Sequence, residues 1–157
     1  MEMLAALSEI VPSSSAVLPT PFVSQKTGLA IRHYGLRAVA FLQKDGGAFA
    51  YADHAKLVSW ENTRHELILA NKPSEFKDRF TSLSDFSCEI GAGYILDIKY
   101  AVKDDSLVAK PFPDDDFFVP LGLEVVSSNE LYSLLQVRNC LTNPNLRISK
   151  QKSIVNR

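Results

Sequence analysis

The spacing of apolar and polar positions changes along the chain, and each change predicts a different element. Leu4, Leu7 and Ile10 share one side of a helix, which predicts a short helix over residues 2–10. The breaker-rich run Pro12 to Ser15, with Pro19 and Pro21 behind it, marks residues 1–27 as a leader strapped across the domain. From Gly28 short apolar runs alternate with turn residues. They predict strands over 29–34 and 37–43, a hairpin turn at Lys44 to Gly47, and a returning strand over 48–51. Turns at Asp53-His54 and Glu61-Asn62 then bound strands over 56–60 and 65–70. Connections this short exclude a parallel crossover, so the expected sheet is antiparallel.

Pro73 followed by Phe76, Phe80 and Leu83 predicts a helix over 73–83 with an apolar stripe toward the core. Leu96, Ile98, Tyr100 and Val102 then alternate with Asp97, Lys99 and Lys103. This is the pattern of a strand with one buried face and its charges in solvent. Gly91 and Gly93 precede this strand rather than a helix, so they read as a bend and not as a phosphate-cradling loop. Asp104 to Ser106 is a turn before an edge strand over 107–110, which Pro111 and Pro113 end. Further strands are expected over 117–119 and 123–126. Ser127, Ser128 or Asn129 then serves as N-cap for a helix over 130–140 that buries Leu131, Leu134, Leu135 and Leu141. The expected fold class is α+β: a mainly antiparallel twisted β-meander with one internal and one C-terminal helix packed on it. Residues 28–141 form one core domain and residues 142–157 a basic tail.

Several strands followed by the segment Ser128 to Leu135 is an order similar to the end of pleckstrin-homology-like domains, where a C-terminal helix plugs a bent sheet. The helix over 73–83 departs from that pattern and the early basic phosphoinositide signature is missing, so the similarity sets no family.

A chain of 157 residues buries about 70% of its unfolded surface and needs no metal or disulfide staple. Its two cysteines, Cys88 and Cys140, have neither the spacing of a zinc site nor the number for a disulfide framework, so buried thiols are expected. A net charge of −1 disfavours nucleic acid as a partner. The acid-free tail, with Arg147, Lys150, Lys152 and Arg157, keeps a nucleic-acid reading as an alternative, together with Arg32, Arg37, Lys56 and Arg64. With no basic n-region and no apolar run near the roughly twenty residues of a membrane span, no secretory signal and no membrane insertion are expected, and the expected location is cytoplasmic.

For chemistry, His33, His54 and His65 form no metal-binding spacing, and no serine lies in a nucleophile elbow. No catalytic residue, metal ligand or cofactor is assigned. The least ordinary stretch is Pro111 to Phe118. Prolines hold it extended, Asp114, Asp115 and Asp116 seek solvent or cations, and Phe112 and Phe117 seek burial or a partner. The aspartates lack the alternate spacing of a calcium loop. Phe112, Asp114, Asp115, Asp116 and Phe117 are therefore the candidate partner-binding residues, against a reading in which the phenylalanines turn back into the core. The functional expectation is a non-enzymatic protein-binding module, such as a small inhibitor, immunity protein or adaptor. It would use this loop or a sheet edge to contact another protein or a second copy of itself. The other alternative is a small enzyme or ligand-binding domain in which His33, His54, His65, Glu66 and Asp97 converge only in the fold.

Overall fold

The computed structural model describes residues 2–20, 30–32, 37–40, 53–103, 106–109, 112–138 and 140. A five-stranded sheet forms the middle layer, with strand order β2-β1-β3-β7-β6. Its strands are β1 (Ala16–Pro19), β2 (Ala38–Val39), β3 (Ala92–Ile98), β6 (Leu123–Ser128) and β7 (Tyr132–Val137). β1 runs parallel to both β2 and β3, whereas β3, β7 and β6 pair antiparallel. The fold is therefore α+β with a mixed sheet, in place of the expected mainly antiparallel meander. A separate two-stranded ribbon joins β4 (Tyr100–Lys103) to β5 (Ser106–Ala109).

The parallel part comes from the segment read as a leader. The expected helix forms as α1 (Glu2–Ile10), but the chain then enters the sheet as β1, between β2 and β3. Pro19 is tolerated there because it ends the strand: Thr20 N–H bonds Leu96 O on the β3 side, so the missing donor faces β2, whose register stops at Val17–Val39. Residues 30–32 are helical, not extended. The expected turn at Lys44 to Gly47 and the strand over 48–51 lie outside the described residues.

Two further helices follow. The strands expected over 56–60 and 65–70 are instead one helix, α2 (His54–Ala70). No glycine or proline interrupts this stretch, and Asp53, read as a turn residue, is its N-cap, accepting Lys56 N–H at 3.1 Å. α3 (Phe76–Glu89) begins after Pro73 and runs past the expected end at residue 83. Phe80, Leu83 and Phe86 bury against Leu18, Ile95 and Leu135 on one face of the sheet. On the other face, Leu7 and Val11 pack with Val17, Leu96 and Leu134. Arg37 secures α1 from outside, donating through Nε to Val11 O and through Nη2 to Ser8 O at the carbonyl end of the helix.

The C-terminal helix expected over 130–140 is the strand β7. Asn129 does act as a local cap, but on a turn: its Oδ1 accepts Leu131 N–H at 2.8 Å and Tyr132 N–H at 3.0 Å, reversing β6 into β7. The likeness to a pleckstrin-homology-like C-terminal helix goes with it. β7 is then buried on both faces, so its leucines form a continuous run that periodicity alone does not separate from a helix. No helix among the described residues is long and apolar enough to cross a membrane.

Cys88 and Cys140, expected as free thiols, form a disulfide with Cα atoms 5.1 Å apart. The antiparallel β3–β7 ladder sets Tyr94 against Gln136, so the end of α3 meets the end of β7 despite a separation of 52 residues. Loop-closure entropy for that separation predicts that Cys88→Ala with Cys140→Ala lowers the unfolding free energy by about 4 kcal/mol with the strands still paired. Urea titration with and without reductant measures this, and coincident curves would contradict the bond. The N-cap gives a second expectation. The Lys56 N–H, followed by the Lys56 charge, holds the Asp53 carboxyl below its ordinary 3.8. A depressed folded value means that the stabilisation is present above the unfolded value and is lost as pH falls through the lowered one. Asp53→Asn keeps the cap and removes this acid-side loss, whereas Asp53→Ala lowers the thermal midpoint already at neutral pH.

Candidate functional site

Two neighbouring features lie on the α3 face of the sheet. The first is a buried polar cluster at the carboxyl ends of the parallel strands β1 and β3. Asp97, placed in solvent by the alternation reading, is 1% exposed. β3 is covered on both faces, so its charged position faces α3 instead of water. Arg79 of α3 donates Nη2 to Asp97 Oδ2 at 2.9 Å and Nε to Asn71 Oδ1, at the end of α2, at 2.8 Å. Thr20, just beyond β1, donates Oγ1–H to Asp97 Oδ1 at 2.6 Å. Four elements thus meet at one ion pair. Among the described residues no buried side-chain nitrogen or oxygen lacks a partner, so no buried atom of the pair is left without a bond.

The second feature is the acidic aromatic loop. Its expected strand over 117–119 is replaced by two 3-10 turns, Asp115–Phe117 and Val119–Leu121, closed by Gly122 at φ 70°. Phe117 N–H bonds Asp114 O, and both Leu121 and Leu123 N–H bond Phe118 O. Phe118 is fully buried, edge-on to Phe80 with ring centroids 4.9 Å apart. Phe112 packs edge-on to Phe76 and Phe80 at 6.5 and 6.0 Å, and Lys99 Nζ lies 5.0 Å from the centre of its ring. Phe117 is half-buried against Phe118 at 5.4 Å. The two features touch through consecutive residues of α3, since the Arg79 guanidinium lies over the Phe80 ring at 4.9 Å.

The candidate residues therefore separate. Phe112 and Phe117 turn inward onto the domain, while Asp114, Asp115 and Asp116 are exposed and form no ion pair among the described residues. Sequence reading missed Val119, which is 67% exposed between the turns, the most exposed of the large apolar side chains among the described residues. Its only signal was an apolar residue beside a proline in an acidic loop.

Among the described residues, those considered for catalysis are not brought together. His54 and His65 are exposed on α2, eleven residues and about 16 Å apart along its axis. Glu66 is exposed beside His65, Asp97 is buried with Arg79, and His33 lies outside the described residues. Among the described residues no group of three His, Cys, Asp or Glu is placed to hold a metal ion. Three of the cations considered for nucleic acid are engaged by groups of the chain itself. Arg37 serves α1, Lys56 pairs with Asp53, and Arg64 pairs with Glu61 over Trp60. Hydrogen bonding within the Arg64–Glu61 pair holds Glu61 below and Arg64 above their ordinary values. Arg147, Lys150, Lys152 and Arg157 lie outside the described residues.

The buried pair makes a direct test possible. Arg79→Ala leaves Asp97 charged and uncompensated, and we expect a loss of about 3–5 kcal/mol in the unfolding free energy by urea titration. Arg79→Met combined with Asp97→Leu and Thr20→Val removes donors and acceptor together and recovers most of that loss. A single-site loss below about 1 kcal/mol would show that the pair is solvated. In comparisons with known proteins, no family model, no curated protein and no solved structure matches this chain.

Proposed function

We propose that the chain is a non-enzymatic protein-binding module that docks through the outer surface of the loop from Asp114 to Pro120 onto a cationic protein surface with an apolar recess. The observation that carries this reading is the pairing of exposure with restraint. Asp114, Asp115, Asp116 and Val119 stand in solvent on a backbone pinned from beneath by Phe112, Phe117 and Phe118. A loop already held in one shape loses little freedom when a partner closes on it, which favours association. The carboxylates supply attraction and register, and Val119 supplies the apolar contact at their centre. An inhibitor, an immunity protein and an adaptor all work by such contact. The Cys88–Cys140 bond favours an oxidising compartment as the working location over the cytoplasm expected from sequence, because disulfides persist under oxidising conditions.

Affinity capture from the native source, followed by titration with the recovered partner, tests the reading. Asp114→Ala, Asp115→Ala and Asp116→Ala together should weaken binding about tenfold or more, mainly through slower, salt-sensitive association. Val119→Asp should raise the dissociation rate. Both variants should keep the wild-type thermal midpoint, since all four side chains are exposed. Unchanged affinity in both would remove the loop from the account.

A further inference from the structure

We infer that the β4–β5 ribbon is a self-association arm, and that β5 pairs antiparallel with β5 of a second copy of this chain across a two-fold axis at Val108. The inference is independent of the acidic loop and rests on how the edges of this fold differ.

β6, one of the two edge strands of the five-stranded sheet, carries devices that discourage pairing. Its register shifts between Val125 and Ser127, and Glu124 on it is paired to Arg138. β5 carries none. It reads Ser106-Leu107-Val108-Ala109, with no charge, no proline and no register shift against β4. Val108 is 46% exposed, so a β-branched side chain stands in solvent on an edge that pairs with no strand among the described residues. Among the described residues the ribbon is also only two strands wide, and a lone pair of strands has little stability in water until a third strand or another layer joins it. Pairing two ribbons makes a four-stranded sheet and removes both β5 edges together.

The register follows from the hairpin. Lys103 stands opposite Ser106 with only two residues between them in sequence, so this pair exchanges backbone hydrogen bonds, and Ala101 opposite Val108 is the next such pair. Between and beyond them, the N–H and C=O groups of Leu107 and Ala109 point away from β4. Only these outward groups can bond a new strand. A symmetric antiparallel partner therefore sets Leu107 against Ala109 of the second copy and the two Val108 residues directly opposite each other. That central position is a non-hydrogen-bonded pair, with Cα atoms about 4.5 Å apart, where side chains approach most closely. The strand is its own complement: a small residue faces a larger one at each end, two valines meet at the centre, and no charge is opposed to its like.

A contact of this size gives a weak, reversible dimer, so sedimentation velocity from about 10 µM to about 1 mM is the measurement. The wild-type chain should shift from monomer toward dimer across that range, and Val108→Lys should remain monomeric with an unchanged circular dichroism spectrum. Val108→Cys should cross-link to a covalent dimer on mild oxidation. Ala109→Cys should not, because in this register its counterpart lies beyond the roughly 7 Å Cα reach of a disulfide. The variant with all three loop aspartates replaced should dimerise as the wild type does. A monomer at every concentration, a dimer that survives Val108→Lys, or cross-linking at position 109 as readily as at 108 would each overturn the inference.

Discussion

The Arg79–Asp97 ion pair is the constraint on which the arrangement of this domain depends. Taking two charges out of water costs more than a simple contact returns, so such a pair persists only where further bonds complete it. Here those bonds come from Thr20 beyond β1 and Asn71 at the end of α2. A carboxylate on β3 and a guanidinium on α3 therefore fix the end of β1, the inner surface of α3 and the α2–α3 corner together. Apolar packing alone would tolerate small slides of α3 over Leu18, Ile95 and Leu135, whereas a bonded ion pair admits only one seating.

That seating governs the candidate binding surface. Phe80 follows Arg79 and receives Phe118 on its edge, and Phe112 closes the cluster from the side. The acidic loop inherits its shape from α3, while its carboxylates and Val119 are left to solvent. The polar clasp, the aromatic cluster and the exposed loop are successive layers of one construction running from the middle of the sheet outward. The disulfide works elsewhere, at the opposite end of α3, where it ties Cys88 to the chain leaving β7.

Much of the local chemistry was legible in the sequence, and much of its meaning was not. α1, the start of α3, β6 and the β4–β5 hairpin follow from periodicity and turn residues. Asp53 and Asn129 were both recognised as local cap or turn residues, but with their partners exchanged: Asp53 begins a helix where a turn was expected, and Asn129 makes a turn where a helix was expected. The same side-chain geometry serves both motifs, and long-range pairing decides between them. β1 and β7 were missed because strands covered on both faces show no alternation, and Asp97 was placed in solvent for the same reason. Arg79 and Thr20 gave no signal at all, since a buried charge is visible only once its partner is known. Composition marks the loop, but only the two turns expose Val119.

Hydrogen–deuterium exchange of the backbone amides in the acidic loop measures whether this surface is presented on a rigid support. On such a support Phe118, Leu121 and Leu123, bonded within the turns and onto Phe118, exchange as slowly as the amides of β6, while Asp115 and Asp116 exchange fast. Fast exchange throughout residues 114–123 in the folded protein would contradict it and leave the loop as a solvated connection with no prepared surface.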